Sequence, residues 1–105
     1  MKTFKATRIS IIAEKLNQAG ITKILENAGA TGFSFFEGGG KGEHSNHPVD
    51  RPTIIKDFAI IKIEAIITDR TVAEGIAEDV AAAYFGTQAG VIYLHEVEVL
   101  RPDKF

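Results

Sequence analysis

The stretch EGGGKGEHSNHPVDRP, Glu37 to Pro52, gathers four of the ten glycines, two of the three prolines and two of the three histidines of the 105-residue chain. Gly38, Gly39, Gly40 and Gly42 let successive backbone N–H groups turn toward one point, as in a nest that holds a phosphate or a carboxylate-like anion, and Lys41 adds a positive charge there. This is no Walker motif: Lys41 is followed by Gly42 instead of Ser or Thr, and Phe35 stands where the first glycine should be. Taken alone, GGGKG fits a bare hairpin tip as well as an anion nest. Two features favour the nest. The connection from Gly38 to Lys56 exceeds the ~12–15 residues beyond which loops of compact domains become functional or disordered. A second small-residue turn, GTQAG, comprises Gly86, Thr87, Gln88, Ala89 and Gly90 and can bring backbone N–H groups to the same anion.

His44 and His47, with Glu43 and Asp50 nearby, are the residues that could ligate a metal, but their spacing matches no rigid helical or zinc-finger arrangement, and solvated loop residues explain them as well. His95 lies beside Val97 and reads as a packed or hydrogen-bonded core histidine. No nucleophile, base and orienting acid can be assembled, which argues against an enzyme. The absence of cysteine removes disulfides, thiol catalysis and cysteine-based metal sites together.

The remaining composition is that of an ordinary folded domain. Hydrophobic residues make up 45% and charged residues 25%, at a length that supports one core, so residues 1–105 are expected to form a single domain. A net charge of -2 and a pI of about 5.9 offer no footprint for nucleic acid. No apolar run reaches the ~18 residues of a membrane span, and the first residues lack the apolar core of a signal peptide, so a cytoplasmic protein is expected.

The elements that must position the two turns follow from periodicity. Ala6 to Ala13 alternates Ile9 and Ile11 against Arg8 and Ser10, the pattern of a half-buried strand. A helix follows, with Gly20, Ile21, Ile24, Leu25 and Ala28 on one face and Gly29 as its C-terminal cap. Thr31 to Glu37 and Asp57 to Thr68 read as the arms of a long hairpin. A second helix places Val72, Ile76, Val80 and Tyr84 at spacings of four, with Thr71 and Glu74 as a capping box and Gly86 as a stop. Gly90 to Leu100 is the last strand. The order β-α-β-β-α-β is an α+β, ferredoxin-like arrangement in which two helices cover one face of an antiparallel sheet.

The other face is expected to be unusual. On the third strand Ala59, Ile61, Ile63, Ala65 and Ile67 suit the helices, leaving Phe58, Ile60, Lys62, Glu64 and Ile66 outward, and the last strand is expected to turn Ile92, Leu94, Glu96, Glu98 and Leu100 the same way. Large apolar groups mixed with charges on an open sheet point to a subunit interface, in which Arg8 and Lys62 offset Glu64, Glu96 and Glu98.

The run ENAGATGFSFFEGGGKG, followed by a long polar insert and then AYFGTQAGVIYLHEVEVLR, resembles the PII-like signalling proteins. The likeness spans Ala6 to Arg101, and is strongest to the small branch associated with bicarbonate transporters and carboxysomes. It implies a homotrimer that binds adenine nucleotides in the clefts between subunits, with residues 38–56 as the T-loop and residues 86–90 as the B-loop. It also implies that Thr31 and Ile66 lie near the base, that Gly38, Gly39, Gly40, Lys41 and Gly42 and the whole B-loop lie near the phosphates, and that Arg101 reaches the same cleft. Gly40, Lys41 and Gly42 are the expected bicarbonate contacts, and Glu43, His44, Asn46, His47 and Arg51 the T-loop residues that a partner would read. That partner would be a membrane bicarbonate transporter or a carboxysome-related protein.

The chain departs from the family in telling places. The transporter-associated members carry arginines soon after the glycine motif, whereas this chain has EHSNHP and its next basic residue is Arg51, so AMP or ADP with a small anion is expected ahead of ATP or cyclic AMP. Redox control through a cysteine-containing extension is not expected, and the T-loop offers no tyrosine for uridylylation. Two other ferredoxin-like readings make different demands. A trimeric metal-tolerance protein would bind copper or zinc through His44 and His47, and a small monooxygenase would need an apolar cavity and leave the glycine loop without a role.

Overall fold

β1 (Phe4–Glu14) carries the alternation that the sequence announces: Ile9 and Ile11 are fully buried on one side while Arg8 and Ile12 are half-buried on the other. The computed structural model describes residues 1–40 and 60–101. A 3-10 turn at Lys15–Asn17 leads into α1 (Gln18–Asn27), then β2 (Ser34–Gly38), β3 (Ile60–Ile67), α2 (Arg70–Tyr84) and β4 (Gly90–Val99). The strands form one antiparallel sheet in the order β2-β3-β1-β4, the expected ferredoxin-like layout.

Register fixes the two faces. Thr7, Ile9, Ile11 and Ala13 of β1 lie opposite Ile67, Ala65, Ile63 and Ile61 of β3, and all eight are buried. Ile21 and Leu25 of α1 and Ala73, Ile76 and Val80 of α2 complete this core. Each fully buried isoleucine side chain contributes about 1.5–3 kcal/mol to folding. Val72 and Tyr84 pack at its rim, so the spacing-of-four stripe of α2 is the core stripe.

Helix ends confirm one expectation and revise two. Gly29 takes φ 94°, its N–H donates to Glu26 and that of Ala30 to Leu25, so a left-handed residue closes α1 where only glycine fits without strain. At α2 the N-cap is Asp69, whose carboxylate accepts from Thr71 N–H at 2.9 Å. Glu74 pairs with Arg70 instead of reaching back to Thr71, so the expected capping box does not form. Phe85, not Gly86, is the C-cap residue, and Gly86 has no positive φ.

The open face also needs one correction. Ile9 lies opposite Leu94 and Ile11 opposite Ile92, so Ile92 and Leu94 belong to the helix-covered side, with Glu96 and Glu98. β4 instead turns Val91, Tyr93, His95, Val97 and Val99 to the open face. His95 is exposed and not a core residue, although it is hydrogen-bonded, accepting from Arg8. β3 meets the expectation, with Ile60, Lys62, Glu64 and Ile66 on the open face; Phe58 and Ala59 lie outside the described residues. Glu64 forms ion pairs with both Arg8 (3.6 Å) and Lys62 (3.7 Å), an offset of charges made within one chain.

Candidate functional site

The two glycine-rich turns meet because antiparallel pairing brings their strand ends to one end of the sheet. Gly38 closes β2 opposite Ile60, Ile60 lies opposite Glu14, and Gly90 opens β4 opposite Ala13. Between them is a cleft of about 570 Å³ lined by Gly38, Gly39 and Gly40 from one turn and Ala89 and Gly90 from the other. Its floor is a cross-strand row: Phe36 opposite Lys62, Lys62 opposite Ile12, Ile12 opposite Val91. The cleft therefore joins apolar surface to exposed backbone at its rim, the pairing that suits a ligand with one apolar and one polar end.

Charge around the cleft is held in pairs. Glu37 is bound by Lys15 at 2.9 Å, which ties β2 to the 3-10 turn, and Lys62 leans on Glu64. Glu14 also lines the cleft. The second turn is braced from beneath. Asn17 is buried and its Nδ2 donates to Gln88 Oε1, fastening residues 86–90 to the start of α1. Asn17→Ala is expected to cost about 1–2 kcal/mol by leaving the Gln88 amide oxygen without its donor. Urea unfolding measures the loss, and an unchanged midpoint would show that the brace carries no load.

Gly90 has a steric duty. A Cβ there would stand less than 3.0 Å from three atoms of the Phe85 ring, which packs against the core, so a side chain at this point forces the ring or the start of β4 to move.

The structure distributes the expected site residues unevenly. Gly38, Gly39, Gly40, Ala89 and Gly90 line the cleft together, while Gln88 faces Asn17 and Gly86 and Thr87 are exposed on the same turn. Thr31, Ile66 and Arg101 lie toward the other end of the sheet. Ile66 is opposite Arg8, Arg101 follows the Val99–Phe4 pair, and Thr31 precedes β2. From Glu14 back to Arg8 is six residues of strand, roughly 20 Å. Lys41, Gly42, Glu43, His44, Asn46, His47 and Arg51 lie outside the described residues. Residue types alone did not suggest Ile12, Glu14, Phe36, Ile60, Lys62 or Val91, which reach the cleft through register. The signal available was that Phe36, Ile60 and Lys62 fall on the open side of their strands.

Comparison with known proteins fits this geometry. A family model described as nitrogen regulatory protein P-II matches residues 6–104. The chain belongs to the P-II family. As a P-II member it is a PII-like signalling protein, and proteins of this family are regulatory. Among solved structures, CPII of Thiomonas intermedia, a nitrogen regulatory PII-like protein, was determined with ADP and bicarbonate. That structure shares 27% identity over 99% of this chain and 97% of its own, with a TM-score of 0.76. The same protein with ADP, AMP and acetate shares 26% over 100% and 98%, with a TM-score of 0.79. A PII-like signalling protein of Thermus thermophilus shares 23% over 100% and 99% at a TM-score of 0.78, a likeness of fold. Among the described residues of this P-II chain, no helix is long and apolar enough to cross a membrane.

Proposed function

We propose that this P-II member senses adenine nucleotides, AMP or ADP ahead of ATP or cyclic AMP, together with bicarbonate, and signals through residues 38–56 acting as a T-loop. The observation that carries this reading is the meeting of Gly38–Gly40 with Ala89 and Gly90 across one cleft. Backbone N–H groups of both turns, with the Lys41 ammonium, offer a phosphate or a bicarbonate its donors, and the row of Phe36, Ile12 and Val91 offers apolar contact. The ligands of the CPII structures, ADP with AMP and acetate or ADP with bicarbonate, are of this chemistry.

The working unit is a homotrimer. Thr31, Ile66 and Arg101 lie away from the cleft toward the other end of the sheet, and they join its ligand only when another copy supplies them. Exposed Tyr93 and Phe36, with half-buried Ile60 and Ile66, give the open face the apolar surface that such contact buries. In the trimer, residues 86–90 act as the B-loop at the phosphates. Bicarbonate is held by Gly40, Lys41 and Gly42, and Glu43, His44, Asn46, His47 and Arg51 present the bound state to a partner. The partner is a bicarbonate transporter or a carboxysome-related protein, and a transporter would hold this cytoplasmic protein at the membrane periphery.

Calorimetric titration with AMP, ADP, ATP and cyclic AMP, each with and without bicarbonate, tests the proposal. One nucleotide per subunit with an affinity altered by bicarbonate is the expected result; no heat with any of the four would overturn it. Lys41→Ala is expected to weaken binding by about 1–3 kcal/mol, the worth of a charge-assisted contact. Unchanged heats would remove Lys41 from the site.

A further inference from the structure

The two rims of the cleft carry almost no side chains of their own to fix where they stand. Gly38, Gly39 and Gly40 make up one rim, and Ala89 and Gly90 the other. Such rims bind an anion well only if their N–H groups are already aimed, since freedom frozen on binding subtracts from affinity. What holds each rim lies at the residue just before it. Glu37 precedes Gly38 and is held by Lys15 Nζ at 2.9 Å. Gln88 precedes Ala89, and its Oε1 accepts from Asn17 Nδ2.

Both holding residues belong to one short element. Lys15 and Asn17 are the first and last residues of the 3-10 turn, which is closed by a bond from Gln18 N–H to the Lys15 carbonyl. At three residues per turn, successive side chains diverge by about 120°. Lys15 therefore reaches β2, Asn17 reaches the 86–90 turn, and Leu16 takes the third direction, 76% exposed. Asn17 is buried, which fixes the turn against the body of the domain, and the turn continues directly from Ala13 and Glu14, which line the cleft. Glu37 stands opposite the buried Ile61, so it lies on the helix-covered side and not on the face that subunits cover.

We propose, resting on the reading of the cleft as a phosphate and bicarbonate site, that Lys15 and Asn17 are positioning residues, the two arms of a yoke that sets the gap between the backbone rims. Neither arm needs to touch the ligand. A gap fixed at both ends is lost when either end is released, so the arms act on binding as one constraint. They share no partner, so their contributions to folding stability remain separate.

The test begins with the ligand-free protein, whose backbone amide order parameters do not depend on what the cleft binds. In the wild type, Gly38 to Gly40 and Ala89 to Gly90 should lie near the rigid value of about 0.85, with Lys15→Met lowering the first set and Asn17→Ala the second toward about 0.6. Rims already at the flexible value in the wild type, or unmoved by the variants, would overturn the yoke whatever the cleft binds. Calorimetric titration with ADP follows. Lys15→Met should weaken binding about two- to fivefold, the range of an exposed ion pair, and Asn17→Ala about fivefold. The double variant should bind no worse than the weaker single variant, while urea unfolding shows the two stability losses adding. Lys15→Arg keeps the pair and should bind as the wild type does. Affinity losses that multiply in the double variant would also overturn the yoke, because they mark two independent contacts. Gln88→Ala releases the second arm from its other end and serves if Asn17→Ala fails to fold. A wild type that binds no nucleotide, with rims that respond as described, would overturn the nucleotide reading and leave the yoke standing.

Discussion

Gly90→Ala is expected to lower stability by about 1–3 kcal/mol and to weaken nucleotide binding about tenfold or more. The added methyl collides with the Phe85 ring at three of its atoms, and that ring is packed against the core, so either the ring swings out or β4 starts out of place. Both outcomes disturb Ala89 and Val91, which line the cleft on either side of position 90. Gly86→Ala is the matched control. It lies on the same turn, has no positive φ, and a Cβ there meets nothing within 4 Å, so its effect on stability should stay within about 0.5 kcal/mol. Urea unfolding and calorimetry on both variants separate the cases. Equal losses would mean that the turn tolerates no side chain anywhere, and the close approach to Phe85 would lose its special role.

Tyr93→Glu is expected to take the protein apart without unfolding the chain. Tyr93 sits mid-strand on the open face opposite Ser10, diagonal to Arg8, and in a single chain a glutamate there would stand in water beside a cation. Such a surface change costs within about 0.5 kcal/mol. In a trimer that buries this face the same carboxylate loses its water, at several kcal/mol per copy. Light scattering should report trimers for the wild type and monomers for the variant, the far-ultraviolet circular dichroism should be unchanged, and the heat of nucleotide binding should vanish. A variant that remains trimeric would place the subunit contact on another surface.

The sequence made the element order legible because each core stripe has an unmixed period. Ile61, Ile63, Ala65 and Ile67 alternate cleanly, and Ile76 and Val80 repeat at helical spacing. β4 was misread for an equally physical reason. Val91, Ile92, Tyr93 and Leu94 are apolar on both sides, so alternation names no inner face, and only the pairing of Ile9 with Leu94 decides. The α2 cap was ambiguous because Asp69 and Thr71 are both competent caps two residues apart. At the site, glycine content exposed the two turns, since backbone freedom is written in residue type. Its floor was hidden, because Phe36, Lys62, Ile12 and Val91 are neighbours across four strands and far apart along the chain.

The glycine turns at one end of the sheet, and Thr31, Ile66 and Arg101 at the other, set a rule for dose. If one nucleotide must touch both ends, every copy owns two halves of different sites and no whole one. Occupancy and assembly then become a single equilibrium: ligand drives dispersed chains together, and dilution releases ligand even at constant free nucleotide. The abundance of the protein would thereby act as a second input, setting the threshold at which a given amount of nucleotide is noticed.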